Sequence, residues 1–207
     1  MTRRGSNGEP PERYFHISVE DYLAGEKISL VRHEYVDGVV YAMAGGTVRH
    51  NQLTKNIGYR LEEHLAGGAC RAFIVDMKVR VSSRVYYYPD VVVTCEQLAD
   101  DALEIIAPRL VVEVLSPAMK RIDKHEKLLA YKNLESVQEY LIVWEDKMQS
   151  ELHQRGAHGW RVVHLTQAEE EVELASIGRR LSLAEIYRQV QFPPIAENNL
   201  FNPFPNA

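Results

Sequence analysis

The sequence predicts an α/β domain, a mixed sheet flanked by helices, and three observations carry that expectation. Runs rich in Val, Ile, Tyr and Phe recur through the middle of the chain, one segment places apolar residues at helical spacing, and helix signals stand before and among the strand runs. At 207 residues and 45% hydrophobic content the chain can bury one ordinary core, so one domain is expected.

Ser18 reads as an N-cap with Glu20 and Asp21 in the first turn, opening a short helix through Leu23 that stops at Gly25. Residues 33–36 and 39–43 are strand-like and flank Asp37-Gly38, the pair that a type I′ turn prefers. Ala44-Gly45-Gly46-Thr47 breaks the second strand. Leu53, Ile57, Leu61 and Leu65 then recur at helical spacing up to Gly67-Gly68. Strands are expected over 70–81, 86–94 and 110–115, with an acidic, exposed loop over 96–108. Ser116-Pro117 opens a second helix, with Pro at N1, that runs to about Asn133. A strand over 138–144, a hairpin of 150–154 with 160–165, and a closing helix from Ser182 to about Tyr187 complete the domain, 15–190. Residues 1–14 read as a tail and 191–207 as an arm, whose Leu200, Phe201 and Phe204 could dock on a partner subunit.

No stretch approaches ~20 uninterrupted apolar residues, and the polar start lacks the apolar core of a secretory leader, so a cytoplasmic location is expected. Cys70 and Cys95 lack a CxxC partner and read as reduced core residues. A net charge of −5 argues against coating nucleic acid through the overall field. It does not exclude a nuclease, because a cation held by carboxylates supplies positive charge locally.

The chemistry is concentrated in two anomalies. Asp90 interrupts the run Tyr86-Tyr87-Tyr88-Pro89-Asp90-Val91-Val92-Val93, and Glu113 stands in the middle of Leu110-Val111-Val112-Glu113-Val114-Leu115. Asp is depleted in strands, and burying a carboxylate costs several kcal/mol unless something pairs with it. Two carboxylates on neighbouring strands call for a shared partner, and a divalent cation is the simplest. Hard oxygen ligands suit magnesium or manganese, which take the rest of their coordination from water and phosphate. The ordinary alternative puts Asp90 in water at a strand edge and pairs Glu113 with Arg109 or Lys78.

At this point the sequence resembles the Uma-type family of putative restriction endonucleases, within the PD-(D/E)xK nuclease superfamily. The matching segments are Arg32-His33-Glu34-Tyr35, Asp37-Gly38, Met43-Ala44-Gly45-Gly46, His50, Asp76-Met77-Lys78-Val79-Arg80-Val81, Tyr88-Pro89-Asp90-Val91, Val112-Glu113-Val114-Leu115-Ser116-Pro117, Asp123, Glu126-Lys127 and Gln138-Glu139-Tyr140-Leu141. The resemblance implies a restriction-endonuclease-like three-layer α/β/α core with a mixed sheet, an added N-terminal hairpin and C-terminal strands. It further implies Asp90 and Glu113 as metal carboxylates. The general pattern has a lysine two residues after the second acid, where this chain has Leu115. The Uma-type pattern carries its lysine on the next helix, which matches Lys127; the alternative pairs Lys127 with Asp123 on the helix surface. Met119 stands where the family commonly has threonine.

Glu34 is implied as a third site acid, against an exposed carboxylate pairing with Arg32 or Lys55. Asp76 reads as structural or supporting. His50 could contact a phosphate or act as a base, with capping or packing as the alternative. The glycine turn before it opens on a helix N-terminus, a weak anion-site signal. The remaining histidines form no zinc pattern. Tyr86 to Tyr88 read as alternating between core and surface of one strand rather than as a stacking platform for bases.

These features lead to a metal-dependent endonuclease acting on DNA, with Mg2+ or Mn2+ at Asp90 and Glu113, Lys127 and Glu34 assisting, and a homodimer cutting two strands. The competing reading is a catalytically inactive nuclease-fold module that binds nucleic acid or a protein partner.

Overall fold

The computed structural model describes residues 16–116 and 121–192. Ser18 caps α1 (Val19–Glu26), its hydroxyl accepting from the Asp21 N–H at 3.0 Å. Strands β1 (His33–Val36) and β2 (Val39–Ala42) form the expected hairpin. Asp37 (φ 47°) and Gly38 (φ 93°) supply the two left-handed positions of its turn. Thr47 caps α2 (Val48–Leu65), which buries Leu53, Ile57 and Leu61 on one stripe.

The strands expected over 70–81 and 86–94 are each divided. The first becomes β3 (Arg71–Ile74) and β4 (Lys78–Ser82), and the second β5 (Val85–Tyr87) and β6 (Val91–Thr94). Val75 (φ 53°) and Asp76 (φ 61°) turn the chain between β3 and β4, while Pro89-Asp90 separates β5 from β6. The two breaks lie side by side, with the Val75 N–H donating to the Asp90 carbonyl at 3.0 Å. Both segments thereby pass from one sheet to another at the same place, and Asp90 stands at the crossing rather than inside a strand.

Within the expected exposed loop lies a short β7 (Glu104–Ile105), with Ile105 buried. The Glu96 carboxylate accepts from the N–H groups of Ile106 and Ala107, which folds that loop back. Next come β8 (Pro108–Leu115), α3 (Arg121–Asn133), β9 (Glu139–Trp144), β10 (Ser150–Gly156) and β11 (Gly159–Leu165). A further hairpin, β12 (Glu171–Leu174) and β13 (Arg179–Ser182), was not expected. Its alternation places Val172, Leu174 and Leu181 in the core. The last element, α4 (Leu183–Ile186), opens on a reciprocal capping box of Ser182 and Glu185. The expected helix start at Ser116-Pro117, Met119, and the apolar residues of the C-terminal arm fall wholly or partly outside the described residues.

The main sheet has six strands in the order β11-β10-β9-β8-β6-β3, with β8 and β9 parallel. A second sheet of five strands runs β2-β1-β5-β4-β7. Strand alternation divides the interior in two. Val91, Val93, Leu110, Val112 and Val114 face α2, α4 and the β12–β13 hairpin. Val92, Val111, Leu115 and Ile142 face Leu128 and Tyr131 of α3 together with Val79 and Tyr87 of the second sheet. This is the three-layer mixed α/β core that the motifs imply.

Two local expectations are corrected. Cys70 and Cys95 are joined by a disulfide: they extend the β3–β6 ladder one step beyond the Arg71–Thr94 pair, so they face each other. Tyr86, Tyr87 and Tyr88 are all buried, none alternating to the surface. Tyr86 packs with Tyr22 and Tyr35, the Tyr87 ring lies tilted against Tyr131, and the Tyr88 hydroxyl donates to Glu26. The crossing between sheets explains this, because material covers the segment on both sides.

Candidate active site

The antiparallel pairing of β6 with β8 sets Val91 opposite Val112. Carried one step further, that register sets Asp90 opposite Glu113. On β8, Glu113 lies between Val111 and Leu115, both of which face α3, so its carboxylate also points to the α3 side. Asp90 is anchored by its neighbour across the ladder, one carboxylate oxygen accepting from the Val114 N–H at 2.7 Å. Its other oxygen lies 3.3 Å from His50 Nε2.

Lys127 precedes Leu128 by one residue and Tyr131 by four, so it rides on the apolar stripe of α3 toward the sheet. Its ammonium lies 2.6 Å from Glu34 Oε1 and 3.6 Å from Glu113 Oε1, and 5.2 Å above the Tyr87 ring. Glu34, on β1, also accepts from the Tyr88 N–H at 3.2 Å. The four predicted side chains, Glu34, Asp90, Glu113 and Lys127, thus line one cleft of about 550 Å³, with His50 and the Ala44 to Thr47 turn at its rim.

The electrostatics follow from this crowding. Burial raises the Glu113 carboxyl, Lys127 opposes the rise, and the negative charges of Asp90 and Glu34 add to it, leaving the pKa pushed up to about 8. Burial disfavours the charge on Lys127, but the carboxylates of Glu113 and Glu34 outweigh it and hold the ammonium firmly protonated. For His50, burial again opposes protonation; the Asp90 contact and the nearby Glu145 and Glu113 prevail and raise its pKa above the ordinary imidazole value.

Whether a divalent cation fits can be judged from the donors. Among the described residues no group of three or more His, Cys, Asp and Glu side chains converges as a metal cluster. Magnesium, however, commonly uses one or two carboxylates and keeps several waters. Glu113 Oε1 is buried and has no hydrogen-bond partner, its contact to Lys127 being too long for one. A buried acceptor left open beside a second carboxylate is a donor set that a small hard cation would complete.

The model of the Uma2 family, described as "Putative restriction endonuclease", matches residues 19–184. The chain belongs to the Uma2 family. Two Synechocystis sp. relatives are similar to it along nearly their whole length. The uncharacterized protein slr1290 is 34% identical over 88% of this chain and 97% of its own, and the uncharacterized protein sll1609 is 28% identical over 77% and 93%. In structure the chain is similar to a putative nuclease belonging to DUF820 from Anabaena variabilis. That match has a TM-score of 0.68 at 16% identity and covers 83% of this chain and 97% of the other, which is a likeness of fold.

Within this Uma2-family chain, the contacts made by Glu113 and Glu34 differ from the alternatives weighed from sequence, while the Asp123 side chain, the alternative partner of Lys127, lies outside those described. Glu113 meets Lys127, whereas Arg109 reaches the Ser176 carbonyl and Lys78 lies over the rings of Tyr22 and Tyr86. Glu34 meets Lys127, whereas Arg32 pairs with Asp76 and Lys55 with Gln52. Asp76 is exposed in the β3–β4 turn and stands outside the cleft lining. Leu115, where the general pattern has lysine, is buried against α3.

Sequence reasoning missed Glu145. It directly follows β9, whose parallel register with β8 sets Trp144 beside Leu115, and its N–H donates to the Leu115 carbonyl. Its buried carboxylate lines the cleft and accepts from the Thr47 hydroxyl at 2.7 Å. The available signal was an acid at the end of a strand parallel to the Glu113 strand.

Gly46 bears on this geometry because a methyl group there would come within 2.8 Å of His50 Nδ1. Gly46→Ala is expected to push the imidazole off Asp90, and the His50 pKa should fall toward its ordinary value when followed by NMR titration. An unchanged titration would show that the Asp90 contact does not set it.

Proposed function

We propose that this chain is a metal-dependent endonuclease that hydrolyses phosphodiester bonds in DNA. Asp90 and Glu113 would hold Mg2+ or Mn2+. The observation that carries this reading is the buried oxygen of Glu113 that accepts no hydrogen bond, opposite Asp90 and 3.6 Å from the Lys127 ammonium.

A bound cation would supply an activated water and neutralise charge on the phosphoryl group. The protein's own groups have distinct tasks. Lys127 presents a fixed positive charge at the mouth of the carboxylate pair, where it can stabilise charge that develops on phosphoryl oxygens. Glu34 holds that ammonium in place and is itself fixed by the Tyr88 N–H. His50, protonated more readily than usual because of Asp90, can donate to a phosphate oxygen. The first turn of α2, capped by Thr47, opens beside the same rim and favours an anion there.

No helix among the described residues is long and apolar enough to cross a membrane. The reading also takes DNA in the cytoplasm as substrate and a homodimer with one site for each strand.

The test is a cleavage assay over Mg2+, Mn2+ and other divalent cations, on plasmid and on single-stranded oligonucleotides, with Asp90→Ala as control. Cleavage that needs the cation and is lost in the variant is expected. The second reading, a module that binds without turnover, is favoured by the Lys127 ammonium already bridging Glu34 and Glu113. DNA binding without cleavage under every cation would decide for it.

A further inference from the structure

Two grooves of about 370 and 390 Å³ lie along α2, on the side where α4 and the segment after it pack. Gln52 and Gln189 line both, so the two adjoin. The first begins at Val48 and Arg49, immediately after Thr47, which lines the cleft. From Arg49 to Arg60 the helix advances about 16 Å, at ~1.5 Å per residue.

On a chain of net charge −5 this groove is basic. Arg49, Lys55, Arg60 and Arg188 line it, and Glu185 is its one acidic lining residue among those described. Glu185 is already engaged by Arg60, Arg179 and Ser182. No carboxylate among the described residues contacts Arg49, Lys55 or Arg188, and Arg49 Nε is buried without a hydrogen-bond partner. The far wall is held in place, since the Asn56 amide donates to the carbonyls of both Ile186 and Arg188.

We infer that this groove is the track along which the sugar–phosphate backbone of a DNA strand reaches the cleft. The inference rests on the proposed nuclease reading and adds the path of the substrate. Uncompensated cations spaced along a groove whose end at Val48 is one residue from Thr47 of the cleft match a polyanion that extends beyond the cut bond.

The experiment measures oligonucleotide binding by fluorescence anisotropy as a function of salt, without divalent cation, in full-length protein carrying Glu113→Gln to prevent cleavage. Adding Arg49→Ala with Lys55→Ala is expected to weaken binding about tenfold or more and to flatten the log–log salt slope by roughly 1.4, about 0.7 for each lost phosphate contact. Arg80→Ala with Arg84→Ala removes the same charge from β4 and the β4–β5 turn of the second sheet, in the layer opposite α2, and should leave the slope unchanged. Lys55→Gln with Arg188→Gln, at two exposed positions, gives the same readout if the first pair disturbs folding. Binding by the Glu113→Gln parent that groove substitutions do not weaken overturns the track alone. No binding by that parent overturns the nuclease reading and the track together.

Discussion

Glu113→Gln is expected to leave the fold intact and to lower DNA cleavage by roughly a thousandfold or more, about 4 kcal/mol of transition-state stabilisation. The amide keeps the shape of the carboxyl but cannot carry the charge that a hard cation needs. Stability should separate this loss from simple damage. In the metal-free protein the Glu113 carboxyl titrates near 8, against 4.5 for a free glutamate. A group that titrates higher in the folded chain stabilises the fold fully below the unfolded value and loses that contribution as the pH climbs through the folded one. Metal-free wild type should therefore lose stability between about pH 4.5 and pH 8, whereas Glu113→Gln should show a flatter profile over that window. Saturating magnesium should restore stability to the wild type near pH 8 and do nothing for the variant. Urea denaturation at several pH values, with and without the cation, reads all of these effects. Equal pH profiles for the two proteins would mean that Glu113 is not the buried titrating group.

Lys127→Met is expected to cost about 3 kcal/mol of stability at pH 8, because it removes the one cation between two enclosed carboxylates and leaves their charges unbalanced. The same change should push the Glu113 pKa further up, since Lys127 is the group that lowers it most. Its cost should therefore shrink toward pH 5, where Glu113 takes up a proton in either protein. Cleavage should fall about a hundredfold or more, through loss of a fixed positive charge at the phosphoryl group. Lys127→Arg tests the placement of that charge: it keeps the charge with a wider, planar head that the 2.6 Å contact with Glu34 does not accommodate unchanged. A stability loss from Lys127→Met that is the same at pH 5 and pH 8 would point to lost packing rather than lost charge.

Much of the fold could be read because local chemistry and global placement agree. The Asp37-Gly38 turn, the Thr47-capped amphipathic α2, and the capping box at Ser182 each express a backbone requirement in a residue type. The acidic pair of the candidate site was legible for a related reason, whereas Glu34 and Lys127 were implied by the family resemblance alone. A carboxylate in an apolar run is a local contradiction, and both Asp90 and Glu113 were visible as one. What periodicity could not show was the passage between sheets. Val75 is apolar and β-branched, so the run over 70–81 reads as one strand, although Val75 and Asp76 adopt left-handed conformations that divide it. Tyr86 to Tyr88 likewise read as alternating, and only the crossing places all three inside. Glu145 was hidden by its context of Trp144, Asp146 and Lys147, which resembles an ordinary polar exit from a strand. The Cys70–Cys95 pair needed the β3–β6 register, which spacing in the sequence does not supply.

Titration calorimetry with Mn2+ tests the central assignment most directly, comparing wild type with Asp90→Ala and Glu113→Gln in two buffers of different ionisation enthalpy. Binding to the wild type is predicted near pH 7, with release of close to one proton from Glu113 and loss of the heat in both variants. Absence of binding to the wild type, or binding that both variants retain, would contradict the assignment of Asp90 and Glu113 as the metal carboxylates.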